Sequence, residues 1–399
     1  MRIAHVITRM IVGGAQENTL FTCRDLIDEH GDEVLLLTGP ALGPEGDLLA
    51  QQGRGVPVVE LPALRRAIHP WRDWSAYRAL RRELVRFRPD VVHTHSAKGG
   101  FLGRLAASSL RVPVVVHTVH GAPFHPYQHA VVRELYRRLE RHAAKKCHKL
   151  VSVADAMTEL MIAGDVAKRE KFVTIYSGMD VEPLLSAEQH RESARRELGL
   201  EPEDVVVGKI ARLFHLKGHE YLIRAAESAV RQAPRLKFLL VGDGLLRAEL
   251  ESEIARAGLA GHFRFTGLVP PGEIPKWLGA MDILAHVSLR EGLARALPQA
   301  LIAGRPAISF DIDGAREVVI PDKTGVLLAP GDVEGLAEAF VRLGQSPEIR
   351  RQWGEEGRQR FTEQFRHRTM TRQLRELYTA LLEEQGRAGR PTPANPSSA

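Results

Sequence analysis

The sequence predicts an α/β protein made of two doubly wound, Rossmann-like domains that face each other across a cleft. Short apolar runs alternate with amphipathic helical stretches along the chain, and the alternation restarts in the second half. Strands that alternate with helices in this way form parallel sheets covered on both faces. The length of 399 residues suits two domains of about 150–200 residues each.

In the first half, apolar runs predict six strands and amphipathic stretches predict three helices. The predicted strands are Ile3–Ile7, Val34–Leu37, Val58–Leu61, Val91–His93, Val114–Thr118 and Leu150–Val153. The predicted helices are Gln16–Glu29, Trp74–Phe87 and Val131–Lys145. Because ligands bind open parallel sheets outside the carboxyl ends of the strands, the residues just after each strand are the candidates for function.

The second half repeats the pattern with five strands and four helices. The predicted strands are Val205–Ile210, Phe238–Val241, Phe263–Thr266, Ile283–His286 and Ala307–Phe310. The predicted helices are Tyr221–Arg231, Arg247–Ala257, Leu297–Ala303 and Val333–Leu343.

A polar, helix-prone stretch from Ser186 to Leu198 separates the two patterns. We therefore predict an N-terminal domain over residues 1–185 and a C-terminal domain over residues 186–367. Residues 368–385 are predicted to form a helix that packs back on the N-terminal domain. Residues 386–399 are rich in Gly, Pro and Ser and predict a disordered tail.

Composition excludes several classes of protein. The two cysteines, Cys23 and Cys147, form neither a disulfide framework nor a zinc motif, which favours a reducing cytoplasm. No stretch reaches the roughly 18 consecutive apolar residues of a membrane span, and the run Ile3–Ile7 is too short for a signal peptide. We expect a cytoplasmic protein that is at most peripheral on the inner face of a membrane.

The net positive charge lies in the N-terminal half of the sequence. Residues 1–180 carry 25 Lys and Arg against 19 Asp and Glu, whereas residues 181–399 carry 30 of each. One predicted helix has a basic stripe, which consists of Arg133, Arg137, Arg141 and Lys145 and lies opposite Val132, Leu135, Tyr136 and Leu139. A second basic stretch adjoins Trp71 and Trp74 and consists of Arg78, Arg81, Arg82, Arg86 and Arg88. An ordinary solvated helix face explains this pattern, and so does attraction to an anionic membrane surface or a diphosphate lipid. With no recognition module visible, nucleic acid is not an expected partner.

Two glycines, Gly13 and Gly14, stand between the first strand and its helix. Glycine there lets backbone N–H groups approach a phosphate or a sugar closely. The full dinucleotide fingerprint Gly-x-Gly-x-x-Gly is absent, so a plain strand-to-helix turn remains open.

A stronger anion-binding pattern follows the first strand of the second half. Arg212 is followed five residues later by Lys217 and then by Gly218, before a helix begins. Arginine grips two oxygens in a fork and lysine adds a point charge, so the loop fits a pyrophosphate.

The segment from Glu291 to Gln299 leads from a strand into a helix. Amides of residues 292–296 would lie near the N-terminus of that helix, where a phosphate or a sugar hydroxyl is held. Gln299 lies further inside, where its amide reaches ribose hydroxyls, and Arg295 adds a charge.

Taken together, these motifs resemble the retaining glycosyltransferases of family 4, which have the GT-B fold. The stretches that carry the resemblance are Gly13-Gly14-Ala-Gln16, His93-Thr-His95, Thr118-Val-His120-Gly121, Ser177-Gly178-Met-Asp180, Arg212…Lys217-Gly218, Val241-Gly-Asp-Gly244, Glu291…Gln299 and Gly314-Ala-Arg-Glu317-Val318. They cover nearly the whole chain, and their joint order and spacing are specific.

The resemblance implies roles for the matching residues. Glu291 and His120 would act at the transferred sugar. The donor diphosphate would be bound by Arg212, Lys217, Gly14, Ala294 and Arg295, the sugar and ribose by Glu291, Leu293 and Gln299, and the base would be flanked by Gly242, Phe265 and Gly267. The acceptor side would include His95, Lys98 and Phe124. Gln299 replaces the second Glu of the family's motif, which predicts altered ribose binding, since an amide keeps the hydrogen bonds without the charge.

No metal and no cofactor are expected. Asp311-Ile-Asp313 looks like the metal motif of a different glycosyltransferase fold, but Arg212 and Lys217 already supply cations for a diphosphate. His93 with His95 and His117 with His120 look like zinc ligands but lack a Cys, Asp or Glu at ligand spacing.

The sequence therefore predicts a metal-independent hexosyltransferase that moves a sugar from a nucleotide-diphosphate sugar to a hydroxyl of a sugar or lipid-linked acceptor, with retention. Surface polysaccharide or glycolipid synthesis is the expected setting. The donor nucleotide stays open. The alternatives are a GT-B-fold nucleotide-sugar epimerase and a non-catalytic sugar-nucleotide binding protein.

Overall fold

The computed structural model describes residues 1–42 and 46–388, which form two compact units. Unit 1 comprises Met1–Met179 and the chain from His367 onward, and unit 2 comprises Asp180–Arg366. The sequence analysis predicted that the second domain begins at residue 186 and that the chain returns to the first domain at residue 368.

Unit 1 contains a seven-stranded parallel sheet in the order β3-β2-β1-β4-β5-β6-β7. Its strands are β1 Arg2–Arg9, β2 Glu33–Gly39, β3 Val58–Glu60, β4 Val91–His95, β5 Val114–Val119, β6 Lys149–Ser152 and β7 Phe172–Thr174. The helices that connect them are α1 Gly14–Asp28, α2 Leu48–Gln52, α3 Pro70–Phe87, α4 Ala97–Ser109, α5 Ala130–Ala144 and α6 Asp155–Ala163.

Unit 2 contains a six-stranded parallel sheet in the order β10-β9-β8-β11-β12-β13. Its strands are β8 Val205–Ile210, β9 Leu236–Val241, β10 Phe263–Gly267, β11 Ile283–His286, β12 Ala307–Phe310 and β13 Gly325–Leu328. Its helices are α7 Glu182–Leu185, α8 Arg191–Glu197, α9 His219–Gln232, α10 Arg247–Arg256, α11 Ile274–Ala280, α12 Ala296–Ile302, α13 Val333–Gln345 and α14 Pro347–Phe361. The fold class is therefore confirmed as α/β with two doubly wound parallel sheets.

The final helix, α15 (His367–Ala388), belongs to unit 1 and packs on α1. Met370, Leu374 and Tyr378 enter the apolar core beneath β1, β4 and β5. Asp25 of α1 accepts hydrogen bonds from Thr371 and His367 of α15. Residues 386–388 of the predicted disordered tail are the last residues of α15, so the prediction was wrong for them, and the rest of the tail, from residue 389, lies outside the described residues.

Each predicted strand is present, with its ends within two residues of the prediction, but β7, β13 and several helices were missed. Helix α4 was missed because Gly99, Gly100 and Gly103 lower helix propensity. Its glycines are required by packing: a Cβ on Gly99 would lie 2.6 Å from the backbone N of Thr8, and one on Gly100 would lie 2.3 Å from the His117 ring. Close helix–strand packing therefore outweighs propensity here.

Each sheet reverses its strand order at one point, between β1 and β4 in unit 1 and between β8 and β11 in unit 2. Such switch points create a crevice at the carboxyl edge of an open sheet, because the following connections run to opposite sides. The residues after these four strands are therefore the best placed to bind ligands. Within the described residues, no helix is both long and apolar enough to span a membrane.

Candidate functional site

The switch point of unit 2 brings two predicted loops together. The loop after β8 is tied to the loop after β11 by a hydrogen bond of 2.9 Å from the backbone N of Leu289 to the carbonyl of Leu216. Gly218 has a φ of 70°, and a Cβ at this position would lie 1.8 Å from the carbonyl oxygen of Val287. Only glycine fits there, which explains the glycine of the Arg212–Gly218 motif.

Lys217 and Glu291 meet at this junction. Nζ of Lys217 donates to Oε1 of Glu291 at 2.5 Å, and Nε2 of His286 lies 3.3 Å from the same oxygen. Burial opposes ionisation of Glu291, but the adjacent imidazole of His286 and the charge and hydrogen bond of Lys217 outweigh it, so the pKa of this carboxyl lies well below its ordinary value. The site therefore holds an ionised carboxylate beside an ammonium.

Asp313 holds the backbone at Glu291. The backbone N of Glu291 donates to Oδ2 of Asp313 at 2.6 Å, and Asp313 itself has a left-handed φ of 45°. Asp311 is engaged by the guanidinium of Arg316, whose Nε donates to Oδ1 at 2.9 Å. The Asp-x-Asp pair is thus used within the loops of this edge, with Asp313 as a support for Glu291.

Arg212 is held by the first turn of α9. Its carbonyl accepts a hydrogen bond of 3.1 Å from Nε2 of His219, and its guanidinium carbon lies 4.9 Å from the centre of the Phe214 ring. Burial lowers the pKa of His219 to about 3, so the ring is neutral and carries its proton on the donating Nε2. His219 therefore fixes the path of the loop without adding charge.

Lys209 is an unexpected cation inside β8, within a run that the sequence analysis treated as an apolar strand. Its side chain is buried and its ammonium makes no hydrogen bond to any described residue. Burial, and then the charge of Lys217, lower the pKa of Lys209 to about 7, while Glu291 acts in the opposite direction. The described part of unit 2 thus places a second amine, whose pKa burial lowers, close enough to the ion pair to interact with it.

The remaining predicted donor residues also lie in unit 2. Leu293, Ala294 and Arg295 form the loop before α12, and half-buried Gln299 is in the middle of this short helix. Gly242 and Gly267 adjoin, since the backbone N of Gly242 donates to the carbonyl of Gly267 at 3.0 Å. The Phe265 ring is covered by the guanidinium of Arg247 at 4.0 Å. Their roles at a nucleotide remain predictions.

The carboxyl edge of unit 1 carries imidazoles on three neighbouring strands. His5 is aligned with His93 in the β1–β4 register, and His95 with Thr118 in the β4–β5 register. Nδ1 of His5 lies 3.1 Å from Nε2 of His95, and Nδ1 of His95 lies 3.1 Å from Nε2 of His120. The predicted sugar-side residue His120 is therefore the end of a chain of three rings.

Burial keeps His5, His93 and His95 uncharged. It lowers the pKa of His5 to about 3 and lowers the pKa values of His93 and His95 well below the ordinary value, with neighbouring imidazoles adding to the effect in the latter two. His93 uses both nitrogens elsewhere, for the hydroxyl of Tyr378 and, at 2.7 Å, for Oγ1 of Thr118.

The predicted histidine pairs divide between the two faces of the sheet. His117 points to the other face, where its Nδ1 lies 2.9 Å from Oγ1 of Thr94. Nitrogens of His5, His93 and His95 lie within 4.8 Å of one another, which is close enough for the three to ligate one metal ion. An ion there would have to displace the hydrogen bonds of His93 and His95, so the expectation of no metal stays a prediction.

Three further predicted residues of unit 1 have structural contacts. Gly14 is the first residue of α1. Nζ of Lys98 donates to Asp73 at 2.6 Å, and the ring of Phe124 is buried, so closely packed that a Cβ on Gly164 would lie 2.6 Å from it. Contact of Lys98 with an acceptor would require this ion pair to open.

The basic stripe of α5 is not backed by a buried apolar face. Val131 is 70 % exposed and Leu135 is 52 % exposed, and the described core side of the helix consists of Glu140, Ala143 and Ala144. Near the N-terminus of α3, Ile68, Trp71 and Trp74 are also exposed. We call the set Ile68, Trp71, Trp74, Val131, Val132, Leu135 and Leu139 the apolar patch.

Four residues near the candidate site were missed by sequence reasoning. His5 and Lys209 are polar residues inside strand runs, where a polar residue that interrupts apolar alternation was the available signal. His286 was recognised only as the end of a strand, and Asp313 only as part of a motif that resembles a metal site. Their proximity to His120 or Glu291 comes from sheet register and loop packing.

Two families match successive parts of the chain. The family described as "Glycosyl transferase 4-like domain" matches residues 13–178, and the family described as "Glycosyl transferases group 1" matches residues 190–360. The two matches fall on unit 1 and unit 2.

Individual proteins are similar over most of the chain. The Escherichia coli UDP-Gal:alpha-D-GlcNAc-diphosphoundecaprenol alpha-1,3-galactosyltransferase is 31% identical over 86% of this chain and 88% of its own length. The Streptomyces fradiae 2-deoxystreptamine N-acetyl-D-glucosaminyltransferase is 30% identical over 82% of each chain. The crystal structure of Anabaena HepE in complex with UDP matches with a TM-score of 0.80 and 22% identity, over 95% of this chain and 100% of that chain.

Proposed function

Because the chain belongs to the glycosyl transferases that combine a 4-like domain with a group 1 domain, we propose that it moves a sugar from a nucleoside diphosphate sugar to a hydroxyl, with retention of anomeric configuration. The observation that carries this proposal is the Lys217–Glu291 ion pair at the switch point of unit 2. Its cation suits a diphosphate and its carboxylate suits sugar hydroxyls.

An entering diphosphate would compete with Glu291 for Lys217. Charge-assisted hydrogen bonds to phosphate oxygens are short and strong. Arg212, which follows the end of β8, has a guanidinium that can donate two further hydrogen bonds to the diphosphate. Glu291, released from Lys217, would turn to the hydroxyls of the sugar, while Asp313 and His286 hold its position. Positive charge then lies where negative charge develops on the leaving diphosphate.

Metal is not needed for this charge stabilisation. Lys217 and Arg212 supply cationic groups at the diphosphate position, and both Asp311 and Asp313 are engaged in the loops. We propose that the proton of the acceptor hydroxyl passes to the leaving phosphate on the same face of the sugar, which gives retention without a covalent enzyme intermediate.

Uridine diphosphate sugars are the first donors to test. The Escherichia coli relative is named for UDP-Gal, and HepE was crystallised with UDP. Relatives differ in acceptor: one is named for a diphosphoundecaprenol-linked sugar and another for 2-deoxystreptamine. The apolar patch and the basic stripe of α5 favour the lipid-linked acceptor for this chain.

We propose further that unit 1 docks on an anionic membrane surface. Exposed Trp71 and Trp74 suit the interfacial region of a bilayer, the aliphatic residues of α5 suit the acyl boundary, and Arg133 and Lys145 suit anionic headgroups. Surface polysaccharide or glycolipid synthesis is the process in which such an enzyme acts.

Donor and acceptor are tested in sequence. A thermal-shift screen against uridine, guanosine and adenosine diphosphate sugars should raise the melting temperature with one nucleotide, since a ligand of the native state stabilises it. The bound donor is then incubated with a sugar-diphosphate lipid, and proton NMR of the product gives the anomeric configuration. An inverted product would contradict retention, and an epimerised donor without acceptor would identify an epimerase.

Vesicle sedimentation tests the membrane proposal. The protein should bind vesicles that contain about 30 % anionic lipid, less at high salt and not to neutral vesicles. Leu135→Glu should abolish binding, while Val85→Glu, at an exposed apolar residue near the other end of α3, should not. Equal loss in both variants would refute a role for the apolar patch.

A further inference from the structure

In the chain of His5, His95 and His120, one buried nitrogen has no hydrogen-bond partner among the described residues. Nε2 of His5 is buried and makes no hydrogen bond to any described residue. Its other nitrogen, Nδ1, faces Nε2 of His95, and Nδ1 of His95 faces Nε2 of His120, each at 3.1 Å. The state of this buried nitrogen constrains the whole chain.

Neutral imidazole has one N–H donor and one acceptor, so a chain of three rings has two possible directions. If His5 donates, His95 donates in turn, His120 accepts at Nε2 and carries its proton on Nδ1. If His120 donates, the direction reverses and Nε2 of His5 must hold an N–H. That would bury a donor without an acceptor, a state rarer in proteins than an unpaired acceptor.

We propose that His5 and His95 are positioning residues that fix His120 as an Nε2 acceptor with its proton on Nδ1. Only this direction leaves a lone pair, not an N–H, buried at His5. Ring stacking supports the geometry: the His5 and His95 rings are 5.3 Å apart at 13°, and the His95 and His120 rings are 5.4 Å apart at 29°.

The surroundings favour uncharged rings. The groups that face the chain are His93 of β4, Thr118 of β5 and Tyr378 of α15, and burial raises the pKa of the Tyr378 hydroxyl well above its ordinary value. The acids Asp25 and Asp32, which contact α15, are engaged by Thr371 and Arg375 of that helix. The tautomer of His120 is therefore set by hydrogen bonds along the chain.

What His120 does with its Nδ1 proton rests on the proposed function. A neutral imidazole that can only donate from Nδ1 suits a hydroxyl oxygen of the transferred sugar and excludes a role as a base through that nitrogen. His95 then acts through His120 and is not required to touch the sugar.

The tautomer is measured on the full chain without substrate. Long-range proton–nitrogen correlations of ¹⁵N-labelled histidine distinguish the two tautomers, and His120→Gln identifies the His120 signals. The wild type should show His120 with its proton on Nδ1. His95→Phe, which keeps a ring but removes both nitrogens, should shift most of the His120 population to the Nε2–H tautomer.

His93→Phe is the matched control. His93 lies on the same strand and face as His95 and is equally buried. Its hydrogen bonds go to Tyr378 and Thr118 and not to the three linked imidazoles. It should lower the melting temperature at least as much as His95→Phe, since it unpairs Tyr378 and Thr118, and leave the His120 tautomer unchanged. An Nε2–H signal for His120 in the wild type, or no change in His95→Phe, would overturn the proposal.

Turnover gives the second readout. His95→Phe should lower kcat about tenfold with donor KM nearly unchanged, while His93→Phe, assayed where it is folded, keeps the wild-type kcat. Wild-type kcat in His95→Phe despite an altered tautomer would refute the positioning role. A wild-type chain that transfers no sugar would refute the proposed function, and the NMR result would still decide the tautomer.

Discussion

The carboxyl edges of the two sheets have the same construction and opposite chemistry. Both sheets reverse strand order in the middle, and in both, polar side chains lie on the two central strands or in the loops that follow them. In unit 1 the edge consists of His5, His95 and His120, and burial keeps the first two neutral. In unit 2 it consists of Lys217 and Glu291, which pair as ions.

The difference shows what the fold provides and what it does not. Strand order decides which residues meet, but burial and partners decide their charge. An imidazole surrounded by strands and helices loses its proton easily, because its ordinary pKa is near 6.5. The half-buried carboxylate of Glu291 stays ionised beside an ammonium. One edge is therefore suited to neutral hydrogen bonding and the other to a diphosphate.

Removing the carboxylate should have the largest effect. Glu291→Gln keeps the shape of the side chain but removes the charge that Lys217 pairs with and that we assign to the sugar hydroxyls. Turnover should fall by about 10²-fold or more, measured as the initial rate of nucleotide release with acceptor present. Glu249→Gln, at an exposed glutamate in the first turn of α10, should retain full activity. Equal activity of the two variants would remove Glu291 from the reaction.

Lys217→Ala should convert the ionic edge of unit 2 into an anionic one. Loss of a charged partner from a largely desolvated site costs about 2 kcal/mol or more, which corresponds to a roughly 30-fold weaker donor affinity. Calorimetric titration with the donor checks this. Lys276→Ala, which removes a lysine paired with Glu197 on α8, should leave the affinity unchanged. An unaltered dissociation constant in Lys217→Ala would place the diphosphate elsewhere.

Lys209→Met should stabilise the fold. The folded pKa of Lys209, about 7, lies below the unfolded value of about 10.4. The folded state therefore binds fewer protons between these values, and wild-type stability rises with pH across that window. The variant should gain about 2 kcal/mol in free energy of unfolding at pH 7 or below, and the gain should shrink towards pH 10. Denaturant titrations at several pH values test this, and a gain independent of pH would show that the amine has the same pKa in the folded and unfolded states, so that burial does not lower it.

Gln299→Glu restores the residue that the family motif has at this position, so its effect should be smaller. The fold should be kept, because the side chain is half-buried at the middle of α12 and not in the core. The added carboxylate should change donor affinity by a few-fold, about 1 kcal/mol. If the dissociation constant for the donor is the same, Gln299 does not lie at the ribose.

A chelator should change nothing. Since we propose that Lys217 and Arg212 supply the cations for the diphosphate, turnover should be equal with and without EDTA. Loss of activity that a divalent ion restores would return Asp311 and Asp313 to consideration as metal ligands. It would contradict the proposal that the edge of unit 2 binds the diphosphate without a metal.

Sequence reasoning predicted the fold class and the loops that meet in unit 2, since strand periodicity and loop composition are local signals. It missed β7 and β13, which are short, and α4, whose glycines serve contacts with β1 and β5. It treated His5 and Lys209 as parts of apolar strands, because their partners are up to 90 residues away in the chain. Such partnerships depend on register, which local pattern does not contain.

The apolar side of α5 gives the opposite lesson. Its periodicity predicts a helix that buries one face, and the helix is present, but Val131 and Leu135 face outward. Amphipathic pattern identifies the helix without identifying what covers its apolar face.

The most direct test is a crystal structure of the complex with the uridine diphosphate sugar that the thermal-shift screen selects. The account predicts the diphosphate within hydrogen-bond distance of Lys217 and Arg212, and the sugar hydroxyls against Glu291, with the Lys217–Glu291 pair opened. A nucleotide bound away from the β8–β11 switch point, or bound with that ion pair intact, would contradict it.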